Sequence, residues 1–224
     1  AHWRVGVDYQ QSEGEFSYLT DNGTNLDTSD DYRRGRENND VESRAIYLQG
    51  ALATLGGSPL IARLRLMDRD GGLPGTDALQ SIGARLEEQH VEGSFEWARQ
   101  LGSESSFELL ADFRMTEDLL HDGGEDDYLA GIDQRRSEVD TFGMAALWRD
   151  QRGRHGLLAR FDLRRATARV EQPLPELSRL GGGERLEASL AIEDQVQIGP
   201  ALLMPSFRAS WRDEELEPDR LSLT

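Results

Sequence analysis

The chain has 224 residues and a net charge of −17, from 25 basic and 42 acidic residues. This balance argues against a nucleic-acid partner, because neutralising phosphates requires clustered Lys and Arg. The absence of cysteine excludes a disulfide framework and a thiolate metal site. No apolar run approaches the roughly 18 residues of a membrane helix, which excludes a helical membrane protein.

In chain order, nine segments alternate apolar and polar residues with the period of two that is typical of a β-strand. They cover residues 3–10, 44–54, 60–69, 90–97, 107–115, 138–148, 156–164, 186–193 and 203–212. The pattern is clearest in 156–164 and weaker in 44–54, 60–69 and 138–148. Soluble strands usually have about five or six residues, whereas a strand tilted across a bilayer needs roughly 9 to 11. The lengths therefore favour a membrane protein.

The connections between these segments alternate between short and long. Short, polar turns that contain glycine lie at 55–59, 99–103, 150–155 and 197–200. Long polar connections lie at 12–41, 70–85, 118–137 and 172–183. Short turns on one rim and long loops on the other are expected of outer-membrane barrels, with the short turns in the periplasm. Trp3, Trp97 and Trp148 lie at or next to the short-turn ends of their segments, and Trp211 lies toward a long-loop end, as expected of tryptophans at bilayer interfaces.

These patterns predict an all-β fold, an antiparallel up-and-down transmembrane β-barrel segment, with residues 1–224 as one partial β-barrel domain. No signal peptide is visible, and the chain begins inside a strand and ends in a polar segment. We therefore expect a fragment of a longer barrel. Nine strands alone would leave two unpaired edges, which lipid could not satisfy.

Two of the long connections resemble loops of a known family. Residues 16–24 read FSYLTDNGT and are followed by Asp30-Asp31, Arg33-Arg34 and Asn38-Asn39, and residues 69–75 read RDGGLPG. Both stretches are similar to extracellular loops of TonB-dependent outer-membrane receptors, in the branch of cobalamin and siderophore receptors. The hairpin pattern matches that family over essentially the whole chain, and the loop motifs match over a small part of it.

The resemblance implies a barrel of about 22 strands around a plug domain, of which this chain would supply about nine, without the plug and the C-terminal strands. It also implies uptake of a scarce nutrient, such as an iron–siderophore or cobalamin, energised by TonB at the bacterial outer membrane. The expected partners are outer-membrane lipid, the receptor's own plug domain, TonB, and a small-molecule or metal-chelate ligand. The alternatives are a passive porin-like channel and a soluble all-β binding protein such as a propeller.

Opposite charges recur at the polar positions of neighbouring predicted strands. The residues expected to face the lumen or the plug are Arg63, Arg65, Glu92, Glu96, Asp112, Arg114, Arg160, Arg164, Glu187, Glu193, Arg208 and Arg212. Cross-strand pairs of opposite charge each contribute roughly 0.2 to 1 kcal/mol, and unpaired members would be available to a plug. The alternative is that these pairs have only a structural role, in which they keep the barrel wall hydrated and fix the register of neighbouring strands.

The first long loop is the candidate for ligand chemistry. Its aspartates supply hard oxygen ligands of the kind that calcium needs, at Asp21, Asp27, Asp30 and Asp31. The alternative is a hydrated loop with an Asx turn at Asn22-Gly23. A second acidic group, Asp122, Glu125, Asp126 and Asp127, has the same two interpretations. Three loop tyrosines could stack on a ligand: Tyr18, Tyr32 and Tyr128.

The sequence does not favour an enzyme. The four histidines, His2, His90, His121 and His155, lie in separate segments without metal-ligand spacing. No G-x-S-x-G motif and no phosphate-binding glycine motif occurs, and the glycines at 181–183 are interpreted as loop. An outer-membrane protease that uses His121 and Asp122 is a weaker alternative. We therefore expect no catalytic residue, and no cofactor other than calcium.

Overall fold

The structure is a computed structural model that describes residues 2–14, 17–20, 32–55, 57–74, 83–121, 134–173 and 177–223. Within these ranges it contains β-strands and no helix. The strands are β1 His2–Ser12, β2 Ser17–Thr20, β3 Tyr32–Gly35, β4 Val41–Leu55, β5 Ser58–Gly72, β6 Arg85–Gln100, β7 Ser105–His121, β8 Gln134–Arg152, β9 His155–Pro173, β10 Leu177–Ile198, β11 Ala201–Leu203 and β12 Ser206–Leu223. The prediction of an all-β antiparallel fold is confirmed.

The main sheet follows the order of the chain. Its strand order is β1-β4-β5-β6-β7-β8-β9-β10, and both β11 and β12 pair with β10 on its other side. The segment between β11 and β12 contains Pro205, which has no N–H to donate to the ladder, so these two pieces occupy one strand position. The small hairpin β2–β3 forms a separate sheet. Among the described residues the main sheet is open, with β1 at one edge and β12 at the other.

Each short turn bends at a glycine. One glycine per turn has a positive φ angle, which is costly for residues with a Cβ atom: Gly57, Gly102, Gly153 and Gly199. The glycines that mark these turns in the sequence are therefore required by the backbone.

The fourth long connection is shorter than its sequence predicts. Residues 172–183 were expected to form a loop, but β9 extends to Pro173 and β10 begins at Leu177. The glycines at 181–183 lie within β10, next to a register shift between Leu180 and Gly182. A Cβ atom on Gly182 would lie 2.5 Å from the Ala168 carbonyl oxygen. The loop interpretation was wrong because glycine here permits a close approach of two strands.

The sheet has almost no interior. Among the described residues only two apolar side chains are buried, Ala45 and Ala84. Large apolar side chains are instead exposed across the sheet, including Val7 at 77 % and Phe207 at 59 %. A water-soluble sheet normally buries one face against another layer, and the described residues supply no second layer.

Candidate functional site

The strand register separates the two faces of the sheet by chemistry. Directly opposed residues of antiparallel strands point to the same side. One such row, which crosses all the long strands, is apolar or small throughout: Trp3, Gly50, Ala62, Phe95, Ala111, Met144, Leu163, Ala188 and Trp211. The next row, on the opposite side, is polar or glycine: Arg4, Gln49, Arg63, Ser94, Asp112, Gly143, Arg164, Glu187 and Arg212. We call these two sides the apolar face and the polar face.

The polar face is concave. It encloses an open concavity of about 1100 Å³ whose border runs from Arg4 on β1 to Arg185 on β10. In a flat sheet these strands would lie roughly 34 Å apart, given about 4.8 Å between neighbours. The sheet therefore curls toward its polar face. A second concavity of about 500 Å³ continues across β7 to β12 and includes Arg208 and Arg212.

Several ion pairs expected from the sequence are present on the polar face. Arg63 contacts Glu96, and Arg65 Nη1 lies 3.3 Å from Glu92 Oε1. Glu92 also accepts from Arg114 at 3.2 Å. These contacts link β5, β6 and β7 through their side chains, and all of them remain partly open to solvent.

The expected neighbours farther along the sheet are arranged differently. Arg160 contacts Asp162 of its own strand at 2.7 Å, and Arg212 lies 3.7 Å from Glu187. Arg164 opposes Glu187 in the register, but the two form no ion pair. Glu193 accepts instead from Gln195 at 3.0 Å.

Positive charge dominates the larger concavity. Six arginines and two acidic residues border it: Arg4, Arg63, Arg65, Arg114, Arg164, Arg185, Glu92 and Asp112. Among the described residues, Arg4, Arg164 and Asp112 have no ion-pair partner, and neither has Arg208 in the second concavity. This local excess of arginine contrasts with the chain's net charge of −17. The concavity is therefore suited to a polar or anionic occupant.

The predicted loop sites lie mostly outside the described residues. That is so for the calcium candidates Asp21, Asp27, Asp30 and Asp31, for Tyr128, and for the second acidic group 122–127. Tyr18 lies in β2, where the Arg36 guanidinium carbon is 5.7 Å from its ring centroid. Tyr32 lies in β3 and is exposed. Of the predicted loop tyrosines, the two that the structure describes, Tyr18 and Tyr32, do not border the concavities.

One group of possible metal ligands was not predicted from the spacing of histidines along the sequence. Glu88, His90 and Asp118 lie on the polar face of β6 and β7, beyond the end of the apolar stretch of β7 at Met115. Burial and the nearby charge of Glu88 raise the pKa of Asp118. Asp118 lies across the hairpin from Glu88, so spacing along the chain could not reveal it. The sequence signal that could have revealed the group is Glu88 and His90 two residues apart, together with a hairpin register that places Asp118 opposite Glu88.

A second polar group lies at the edge of the sheet where the long connections 12–41 and 70–85 meet the strands, which we call the long-connection rim. Arg85 Nη2 lies 3.0 Å from Asp40 Oδ2, and Arg85 Nε lies 2.9 Å from Asp70 Oδ1. Asn38 Nδ2 donates to the carbonyl oxygens of Leu73 at 3.2 Å and Ala84 at 2.6 Å. The Arg85 guanidinium, by hydrogen bonding, lowers the pKa of Asp40, and both acidic partners raise the pKa of Arg85. These contacts join the starts of β4 and β6 to the end of β5.

The Arg85–Asp40 contact predicts a pH-dependent stability difference. We expect Arg85→Gln to lower the free energy of unfolding at pH 7 by about 1 kcal/mol or less, because the pair is exposed. The folded pKa of Asp40 lies below its unfolded value of roughly 3.9, so its contribution is complete above that value and is lost as pH falls through the folded pKa. The difference in free energy of unfolding between wild type and Arg85→Gln should stay constant from pH 7 to about 5 and become smaller below about pH 4.

Chemical denaturation of both proteins at several pH values measures this difference. Arg154→Gln, at an exposed turn residue, is the matched control. A difference for Arg85→Gln that persists unchanged to about pH 3, or an equal narrowing in Arg154→Gln, would contradict the assignment.

Comparison of the chain with models of protein families, with curated proteins and with solved structures gave no match. Among the described residues there is no helix with the length and apolar character needed to cross a membrane. The faces of the sheet themselves are therefore the basis for a functional proposal.

Proposed function

We propose that this chain is a segment of a transmembrane β-barrel of the bacterial outer membrane. In this proposal the apolar face contacts lipid and the polar face lines the lumen. The observation that carries the proposal is a continuous apolar band on an exposed face that covers every long strand of the sheet. A patch of this extent is unstable in water and indicates a surface covered by another apolar phase.

The band runs obliquely across the sheet. The apolar-face row that begins at Val5 ends at Asp213, and the row that begins at Val7 ends at Glu215. At the opposite end of the strands, the row that holds Ile192 and Phe207 is apolar near β12. The upper limit of the band thus moves from Tyr9 on β1 to Trp211 on β12, which shares the row of Trp3. A shift of six residues over eight pairings corresponds to a strand tilt of about 28°, somewhat below the usual tilt of barrel strands. Strands that span a bilayer in barrels tilt by about 35–45°.

The height of the band also supports a bilayer. On β7 the apolar face is uninterrupted from Phe107 to Met115, and Glu117 follows. Nine residues in a strand tilted by about 28° rise roughly 24 Å, close to the ~25 Å apolar height of outer-membrane barrels. Ser105 and Glu117 bound this stretch on the same face, where such a strand would leave the hydrocarbon.

Closure of such a barrel needs further strands. An even number of antiparallel pairings separates β1 from β12, so the two edge strands run in the same direction. Direct pairing of these edges would be parallel, whereas these barrels are antiparallel. An odd number of additional strands would close the barrel with antiparallel pairs throughout. A barrel of about 22 strands, as the loop resemblance implies, meets this condition with about thirteen more.

Within this class we propose a TonB-dependent receptor for a scarce nutrient such as an iron–siderophore or cobalamin. The resemblance of residues 16–24 and 69–75 to loops of that family supports it. The arginine-rich polar face supports a lumen filled by a plug domain or an anionic chelate. A passive channel is the alternative, since mixed charges also line porin walls.

Uptake in cells that carry the natural full-length gene tests the proposal. We expect a heat-modifiable protein in outer membranes, and loss of growth on one limiting iron chelate or on cobalamin when the gene is deleted. Uptake through a receptor should stop when a protonophore collapses the proton gradient. Uptake that continues would indicate a passive channel, and a protein absent from the outer membrane would contradict the barrel itself.

A further inference from the structure

The hairpin β6–β7 brings a nitrogen and two carboxylates together. Glu88, His90 and Asp118 each offer one ligand atom, and these atoms all lie within 4.8 Å of one another. Glu88 and Asp118 are directly opposed in the register, and His90 lies two residues along the same face. The group therefore belongs to regular strand structure, where the backbone ladder fixes its positions.

Neighbouring side chains contact two of the three ligands, His90 and Glu88. Thr116 Oγ1 lies 3.2 Å from His90 Nδ1. A proton on Nδ1 that is donated to Thr116 leaves Nε2 as the free ring acceptor, and Nε2 lies 4.0 Å from Glu88 Oε1. The other Glu88 oxygen, Oε2, accepts from Arg69 Nη1 at 2.9 Å. Outer hydrogen bonds of this kind orient ligands in metal sites.

Asp118 supplies an independent observation. Its Oδ1 atom is buried and has no hydrogen-bond partner in the part of the chain that the structure describes. A buried carboxylate oxygen without a donor is costly, because it loses water and gains nothing in return. A cation beside Glu88 and His90 would satisfy this oxygen. It would also offset the two acidic charges, of which Glu88 alone has an arginine partner, Arg69, among the described residues.

We propose that Glu88, His90 and Asp118 bind a divalent first-row transition-metal ion such as Zn²⁺, with water at the open position. One imidazole and two carboxylates are a suitable donor set for zinc. Calcium is disfavoured because it takes six to eight oxygen ligands. Ligand atoms in tetrahedral zinc sites lie roughly 3.4 Å apart, given bonds of about 2.0–2.1 Å. Side-chain rotation, chiefly of Glu88, would bring the three atoms to that separation.

The site does not depend on the proposed membrane placement, because it needs only the β6–β7 hairpin. The experiment is titration of the metal-free full-length protein with Zn²⁺ against a competing chromophoric chelator. Titration with Co²⁺ follows, because its visible absorption reports the ligand geometry. We expect one zinc ion per chain, and at least about tenfold weaker binding in His90→Ala and in Asp118→Asn.

The same hairpin offers a matched control. His121 Nε2 lies 3.4 Å from Glu87 Oε1, but no third ligand joins this pair among the described residues. His121→Ala should therefore keep the zinc affinity of wild type. Thr116→Val keeps all three ligands and should still weaken binding by about tenfold or more and shift the Co²⁺ spectrum. It serves as the test if His90→Ala does not fold. No zinc binding by wild type, or equal affinity in wild type, Thr116→Val and the folded ligand variants, would overturn the proposal.

Discussion

Ala111→Arg is expected to destabilise the folded protein in a bilayer by about 2–4 kcal/mol, the cost of a cation at the midplane of a barrel's lipid face. Ala111 lies at the centre of the apolar stretch of β7, between Phe95 and Met144 on the same face. No described acidic side chain on that row can pair with the new charge. We expect less folded protein in outer membranes, and a lower free energy of unfolding after refolding into lipid vesicles.

Two further substitutions show whether lipid is the cause. Ser94→Arg places the same side chain on the polar face, directly opposite Asp112, and should cost less than about 0.5 kcal/mol. Met115→Arg lies at the end of the band, where a cation costs only about 0–1 kcal/mol. A bilayer predicts that the loss of unfolding free energy is larger for Ala111→Arg than for Met115→Arg, because the cost of a cation falls with distance from the midplane. Equal costs at Ala111, Met115 and Ser94 would be incompatible with a lipid-facing surface.

The strands could be predicted from the sequence because their signal is local. Alternation places a residue such as Phe161 on one face and Asp162 on the other, and the glycine turns set the hairpin register. Once hairpins were assumed, the neighbours of Arg63 and Arg65 followed from counting residues back from the turn. The two open edges followed from the strand count, whereas the oblique band is visible only in the register of the structure.

Features that depend on close contact between strands could not be predicted in this way. Whether residues 172–183 form a loop or a strand depends on whether Gly182 can approach Ala168. Likewise, whether Arg164 pairs with Glu187 or stays free depends on rotamers that alternation does not define. His90 appeared isolated along the chain because Asp118, which lies close to it, is on the next strand.

The long-connection rim contains an approach at Gly72 that leaves no room for an added methyl group. Gly72 ends β5, and a Cβ atom built there would meet both Asn38 Oδ1 and the Asn38 carbonyl oxygen, the latter at 2.5 Å. Asn38 itself has a left-handed backbone, with φ of 52°, and its side chain bonds the carbonyls of Leu73 and Ala84. Movement of Asn38 away from a new side chain would therefore break contacts to β5 and β6 at once.

We expect Gly72→Ala to lower the free energy of unfolding by about 2–4 kcal/mol, from overpacking and from the lost hydrogen bonds of Asn38. The neighbouring Gly71→Ala is the matched control, because its nearest contacts are 3.5 Å away. It should change stability by less than about 0.5 kcal/mol. Denaturant unfolding of the two variants measures the difference. Adding Asn38→Ala to Gly72→Ala should not restore stability, because the opposing carbonyl oxygen belongs to the backbone; restoration would show that the side chain alone causes the clash.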